Sequence, residues 1–302
     1  MNFYFLREFC VEGFFFFFFV SILIINCQKI FFDKYAVIDK KVIIDPGTSL
    51  NEITNLLFDN DIINNKFFFQ LWVRLNSLEQ SIKYGEYQFV DEVSIDSLTN
   101  KLANGQTVTR LLTIPEGMSR YHFVKLINSK KLENQISEKD LPKLLIANTY
   151  SYKFHDSPDE IIKIIEKKSI EQINDILDRN QKNSIKTDID KAYILASIIE
   201  KETGKISEMN KIAGVFLNRL ESNMRLQSDP TVIYALTKGK KFSRKLSRKD
   251  LKIDSEFNTY RISGIPPRAI SIPRIEAFEA VINPYRSNFY YFVADKKGGH
   301  FF

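Results

Sequence analysis

Hydrophobic and polar positions recur along this chain with two periods, and the switches between them mark its elements. Val42-Ile43-Ile44 reads as a strand running into a turn at Asp45-Pro46-Gly47-Thr48. Ser49 with Glu52 has the form of a capping box, opening a helix that turns Leu50, Ile53, Leu56 and Leu57 inward. A second helix is expected over Lys66–Leu75, with Trp72 filling the core. Gly85 to Val90 alternates as a strand, Ser94 to Ala103 is helical and stops at Asn104-Gly105, and Thr107 to Ile114 reads as another strand. Pro115 to Met118 is a turn before a helix near Tyr121 to Ile127. Ile161 to Ile176 is expected to be helical, and Asn180 to Asp188 to be a polar linker.

The stretch Ala192 to Gly204 differs from all of these, because it carries a carboxylate inside its own apolar stripe. At about 100° per residue, Leu195, Ile198, Ile199 and Glu202 share one helix face, while Glu200 points the other way with Tyr193, Ala196 and Ser197. Gly204 is the residue expected just past a helix end, where φ > 0 is wanted, so Glu202 falls in the last turn. Partial desolvation and the negative helix C-terminus both disfavour its anion. A carboxylic acid held protonated in a cleft is what protonating a glycosidic oxygen needs. From this helix alone, a terminal Glu pairing with Lys201, Lys205 or a distant Arg is the favoured reading.

Ser207 is the expected N-cap of a following helix in which Ile212, Ala213, Phe216, Leu217 and Leu220 form the buried stripe, and Gly214 allows close packing. Asn218 and Arg219 fall at its end. Gln227-Ser228-Asp229-Pro230-Thr231 combines a turn with polar side chains before an apolar helix, Val232 to Leu236, the form of a ligand-binding lip or of a plain helix start. Phe242 to Asp250 is basic and expected at the surface. A last helix, Ile275 to Ile282, precedes a strand over Asn288 to Ala294.

Phe9 to Cys27 is apolar apart from Glu12, Gly13, Ser21 and Asn26. It reads as a short membrane span, favoured over a cleaved signal peptide because no small-x-small site follows. The 302 residues suffice for one large or two modest domains, and a net charge of +6 is weak guidance to any anionic partner. The cysteines, Cys10 and Cys27, both lie at the N-terminal end, so the folded part has no disulfide framework. His122, His155 and His300 lack ligand-like spacing, so neither a metal nor a cofactor is expected. The absence of Ser-x-x-Lys, of Gly-x-Ser-x-Gly and of a Gly-rich phosphate loop argues against acyl transfer and nucleotide chemistry.

Ile198 to Thr203, Val215 to Leu220, Leu226 to Tyr234, and Tyr291 to Asp295 with Lys297-Gly298-Gly299-His300 together resemble the MltG (YceG-like) endolytic murein transglycosylases. The likeness runs with gaps from about residue 40 to the end. It implies an α+β fold: an N-terminal membrane helix, a small LysM-like α/β module and a mixed α+β catalytic domain. The corresponding boundaries are a cytoplasmic segment 1–8, an anchor 9–28, a stem 29–40, the LysM-like domain 41–114 and the catalytic domain 115–302. The implied reaction cleaves the β-1,4 bond between N-acetylmuramic acid and N-acetylglucosamine within glycan strands, leaving 1,6-anhydro ends.

On that resemblance Glu202 is the catalytic residue, with Gln227, Asp229, Thr231, Asn218, Tyr260, Asn148 and Tyr150 at the substrate. Spacing alone does not separate this chemistry from hydrolysis with Asp229 as base. Expected partners are peptidoglycan strands, the plasma (inner) membrane and murein synthases such as penicillin-binding proteins, with no nucleic acid, and the body of the chain is expected outside the cytoplasm. Family members usually run some residues further at the C-terminus. The chain departs from the family pattern at Asn148, where Asp is usual, and at Arg268 and Arg274, where Gly is usual. An Arg in place of a left-handed Gly would be strained. The alternative reading is a membrane-tethered glycan-binding scaffold with weakened turnover.

Overall fold

The computed structural model describes residues 21–22, 24–26, 28–37, 39–130, 134–180, 188–295 and 298–302. The proposed span at 9–28 lies mostly outside these residues, as do both cysteines, Lys297 and most of the linker at 180–188. Among the described residues no helix is long and apolar enough to cross a membrane. The chain divides into two units, 1–110 with 153–155, and 111–152 with 156–302.

In the first unit, β1 (Tyr35–Ala36) and β2 (Lys40–Ile44) precede α1 (Leu50–Asp59) and α2 (Lys66–Leu75). These are followed by β3 (Gly85–Phe89), β4 (Glu92–Val93) and α3 (Ile95–Ala103). β2 runs antiparallel to β3, pairing Val42 with Tyr87 and Ile44 with Gly85. Val42 and Ile44 face inward and Ile43 outward, the alternation a one-sided sheet requires. The capping box forms as read: the Ser49 side chain accepts from the Glu52 amide, and Glu52 Oε2 accepts from the Ser49 amide at 2.8 Å. Ile53, Leu57, Phe69 and Val73 are buried between the two helices. Trp72 is only partly buried, its ring stacked on Phe31 with centroids 4.5 Å apart, so it covers an edge of the core rather than filling it.

β5 (Arg110–Thr113) leads into the second unit, followed by α4 (Arg120–Asn128) and β6 (Thr149–Tyr152), then the long α5 (Pro158–Arg179). It continues through α6 (Ile189–Glu202), α7 (Ile206–Glu221), α8 (Asp229–Thr237) and α9 (Ile275–Ile282) to a small pair, β7 (Val293–Ala294) and β8 (His300–Phe301). One apolar cluster gathers Leu112, Phe123, Leu145, Tyr150 and Ile165. A larger one joins α6, α7 and α9 through Leu195, Ile199, Ile212, Phe216 and Phe278.

Several elements differ from the sequence reading, each for a local reason. The strand expected over Thr107–Ile114 is only Arg110–Thr113. α7 is capped by Lys205 rather than Ser207, because the Thr203 hydroxyl takes the Lys205 amide at 3.0 Å and bends the chain there. Gly204 does not adopt positive φ; α6 ends because Thr203 is extended, at φ −140°. The strand expected over Asn288–Ala294 is reduced to Val293–Ala294, since the carbonyls of Ser287, Phe289 and Tyr290 are turned toward side chains of α7.

Gly214 carries the closest packing in this unit. A Cβ there would lie 2.2 Å from the Tyr285 carbonyl oxygen, so α7 can take the 285 segment only with no side chain at that point. Gly204 has nothing within 4 Å of a Cβ. Gly214→Ala is therefore expected to lower the unfolding free energy by about 2 kcal/mol or more. Gly204→Ala should change it by no more than about 1 kcal/mol, and denaturant titration of both variants checks the contrast.

Candidate active site

α6 is buried along almost its whole length: Ala192, Tyr193, Leu195, Ala196, Ser197, Ile198, Ile199 and Glu200 are all inside. Even the polar positions are tied down. The Tyr193 hydroxyl donates to the Leu145 carbonyl at 2.6 Å, and Ser197 Oγ accepts from the Ile270 amide at 3.0 Å. Its C-terminal acid is therefore delivered by an element packed along most of its length.

Two carboxylates of this helix have different fates. The Glu200 side chain, 2% exposed, meets Arg274. Arg274 Nε donates to Oε2 at 3.0 Å, Nη2 to Oε1 at 3.0 Å and the Arg274 amide to Oε2 at 3.0 Å. Burial lifts the Glu200 carboxyl above its ordinary range while these donors oppose it. Arg274 caps α9 in extended backbone, φ −71°, and neither it nor Arg268 has positive φ. The strain expected from their family positions is absent, and the Arg274 side chain instead neutralises a buried acid.

Glu202 has no such cation. Its Oε1 accepts a very short hydrogen bond from Ser228 Oγ, and among the described residues no hydrogen bond reaches Oε2. Burial pushes its pKa up to about 7 and the Asp229 charge adds to this, while the Ser228 hydroxyl and the charges of His300 and Arg219 pull the other way. The group is thus poised to gain or lose a proton near neutrality.

Ser228 is positioned by a compact hydroxyl network. Its amide donates to Thr259 Oγ1 at 3.0 Å, and its carbonyl accepts from Thr231 Oγ1 at 2.6 Å. Thr231 and Thr259 hydroxyls lie 2.8 Å apart, and all three residues are buried. Gln227 enters this turn with left-handed backbone, φ 49°, its amide on the Thr259 carbonyl at 3.1 Å. A β-carbon-bearing residue tolerates that conformation only where the surroundings enforce it. Asp229, exposed at the first turn of α8, accepts from the Tyr260 hydroxyl at 2.7 Å. Burial, followed by this bond, raises the Tyr260 pKa well above its usual value.

The residues singled out in the sequence divide into groups. Glu202, Gln227, Asp229, Thr231 and Tyr260 come together; Gln227 and Asp229 are exposed, whereas Thr231 is wholly buried and acts through Ser228. Asn218 instead donates to the carbonyls of Ser287 and Phe289, both at 2.8 Å, and Arg219 donates to Tyr290 and Leu226 carbonyls at 2.6 and 2.7 Å. Both fasten the C-terminal segment. Asn148 bonds Gln172 at 3.1 Å, and Tyr150 is buried with its hydroxyl on the Ile146 carbonyl at 2.6 Å. Neither shares a hydrogen bond with the Glu202 group.

The sequence reading passed over Ser228 as an individual contributor, although its place before Asp229-Pro230 is that of an N-cap. It also passed over Thr259, and over Glu208, whose carboxylate takes His300 Nδ1 at 2.8 Å and the Thr203 hydroxyl at 3.2 Å beside Glu202. Among the described residues no group of three or more His, Cys, Asp or Glu forms a metal site.

The YceG-like family model matches residues 42–302. The chain belongs to the YceG-like family. Among proteins similar to this YceG-like chain is one from Bacillus subtilis strain 168 named endolytic murein transglycosylase, 28% identical over 84% of the chain and 78% of that protein. A protein of the same name from Streptococcus pneumoniae strain D39 is 25% identical over 85% of the chain, which spans 54% of its length. The crystal structure of a yceG-like protein from Listeria monocytogenes superposes with a TM-score of 0.52 at 29% identity, covering 85% of this chain and 94% of that one.

These contacts yield two measurable expectations. Arg274→Met leaves a buried unpaired carboxylate and is expected to cost about 2–4 kcal/mol, much of it recovered when Glu200→Gln is added, as unfolding in a double-mutant cycle would show. Ser228→Ala removes a bond to the Glu202 anion and is expected to move the Glu202 titration above about 7, read by carbon-detected NMR of side-chain carboxyls.

Proposed function

We propose that this chain is a membrane-anchored endolytic peptidoglycan lytic transglycosylase. It cleaves the bond between N-acetylmuramic acid and N-acetylglucosamine inside nascent strands, limiting their elongation, and leaves 1,6-anhydro ends. The observation that carries this reading is Glu202: a carboxyl at the end of a buried helix, its pKa near 7, one oxygen fixed by Ser228. The names of the Bacillus and Streptococcus relatives support the same reaction class.

Glu202 starts protonated and gives its proton to the glycosidic oxygen as the C1–O bond breaks, with the electron pair leaving on that oxygen. The resulting carboxylate then takes the proton of the muramic C6 hydroxyl while O6 bonds to C1. The proton count is restored and no water is consumed. Because the sugar supplies its own nucleophile, the second reacting carboxylate of ordinary glycosidases is unnecessary. Asp229, oriented by the Tyr260 hydroxyl, faces the positive charge developing at C1 with a fixed negative one. Gln227 offers an exposed amide to the sugar, and Thr231 holds Ser228 and hence Glu202. Glu202 needs no metal or cofactor for either proton transfer.

In this reading residues 9–28 anchor the chain in the plasma membrane, residues 41–114 form a LysM-like glycan-docking module and residues 115–302 form the catalytic domain outside the cytoplasm. Murein synthases of the same membrane are the partners that would supply nascent strands. The scaffold alternative loses one motive, because Arg274 pairs with Glu200 without backbone strain.

The test is incubation of the full chain in detergent with uncrosslinked strands, beside Glu202→Gln, with products read by mass spectrometry. Ends one water lighter than reducing ends, absent with Glu202→Gln, are expected. Reducing ends would mean hydrolysis, and intact bound strands a scaffold. Since the acid must begin protonated, kcat/KM is expected to fall as pH rises through about 7, and a rate that climbs through that range would contradict the assignment.

A further inference from the structure

A cavity of about 800 Å³ lies in the second unit beside the Glu202 group, lined in part by Lys201 and Pro230, the chain neighbours of Glu202 and Asp229. Its volume is that of a site for a small ligand or short peptide. The walls are firm. Ser119 Oγ donates to the Gly239 carbonyl at 2.6 Å, and a Cβ on Gly239, at φ +84°, would fall 2.8 Å from Ser119 Cβ. The Met118 strand edge pairs with Ile272, whose amide donates to the Met118 carbonyl at 2.8 Å.

The chemistry of the lining is one-sided. Lys125, Lys201 and Lys240 border the cavity against a single acid, Glu116. Lys125 and Lys240 come from separate segments and converge on one ring, their Nζ atoms 4.8 and 5.5 Å from the Tyr121 centroid. Among the described residues none of the three is paired with a carboxylate. Met118, Leu126, Ile233 and Phe242 line the same cavity. Point positive charges together with apolar surface in one cavity suit an extended ligand that carries both carboxylates and small apolar groups. A compact polyanion would leave the apolar wall uncovered.

We infer that this cavity is a subsite for the acidic peptide stem of the glycan, its carboxylates held by Lys125, Lys201 and Lys240 while the sugar backbone lies at Glu202. The inference rests on the transglycosylase reading, in which the muramic sugar undergoing cleavage carries that stem. Stem recognition beside the acid would select strands that still bear peptides over stripped ones.

The test compares kcat/KM of the full chain in detergent on uncrosslinked strands with stems and on strands stripped by an amidase. Wild type should prefer stem-bearing strands, and the combined Lys125→Gln, Lys201→Gln, Lys240→Gln variant should lose at least about tenfold of that preference. A preference unchanged to within about twofold overturns the inference. Binding of a synthetic stem tetrapeptide with free carboxylates is measured in parallel on full-length Glu202→Gln, with and without the lysine changes. Weakening of at least about tenfold supports the subsite. Equal binding, or binding of inorganic pyrophosphate where the peptide does not bind, overturns it. If wild type cuts neither kind of strand, the transglycosylase reading fails, and the peptide measurement alone decides the subsite.

Discussion

The second unit depends on the burial of α6. A helix buried over most of its length must satisfy the polar groups on its inner positions from neighbours, and this one carries Glu200 and Glu202. Water would ionise both at no cost, whereas inside the protein each needs either a cation or a proton. Glu200 receives the cation, Arg274, and Glu202 has its pKa pushed up to about 7 by burial. The split between these two acids, two positions apart, separates the structural role of Glu200 from the chemical one proposed for Glu202.

The rest of the unit reads as support for that split. Arg274 reaches Glu200 because α9 packs on α6 and begins beside it. α7 fits against the 285 segment only through Gly214, and Asn218 and Arg219 on the same helix hold the following backbone. That backbone leads to β8, where His300 meets Glu208 next to Thr203 and the end of α6. The hydroxyls of Ser228, Thr231 and Thr259 then fix one oxygen of Glu202 without supplying a positive charge. A lysine or arginine in place of Ser228 would hold the carboxylate ionised and remove the acid.

Much of this was legible in the sequence wherever local chemistry decides. The capping box at Ser49 and Glu52 follows from its residue types, and the helices over Lys66–Leu75 and Ile275–Ile282 follow from the apolar period. Glu202 stood out as an acid in an apolar stripe close to a helix end, and the family resemblance singled it out from an ordinary ion-paired Glu. Contacts between residues distant in sequence were not legible. Nothing around Arg274 announces an acid 74 positions earlier, and nothing around Thr259 announces Ser228. Ser207 looked like a cap because its residue type suits one, but Thr203 captured the Lys205 amide first. Tyr150 looked available to substrate, but its ring is large and apolar enough to be drawn into the core, where Ile146 takes its hydroxyl.

The claim that burial keeps a proton on Glu202 is tested most directly by stability against pH for wild type and Glu202→Gln. The folded-state pKa of about 7 lies above the unfolded value, so the native protein binds more protons between the two. Its stability relative to the variant is full below about pH 4.3 and falls as pH rises through about 7. The account predicts unfolding free energies whose difference moves by about 1–3 kcal/mol in favour of Glu202→Gln across that window and then levels off. Parallel curves from pH 4 to 8 would contradict it, because they would place the folded-state pKa of Glu202 at its unfolded value.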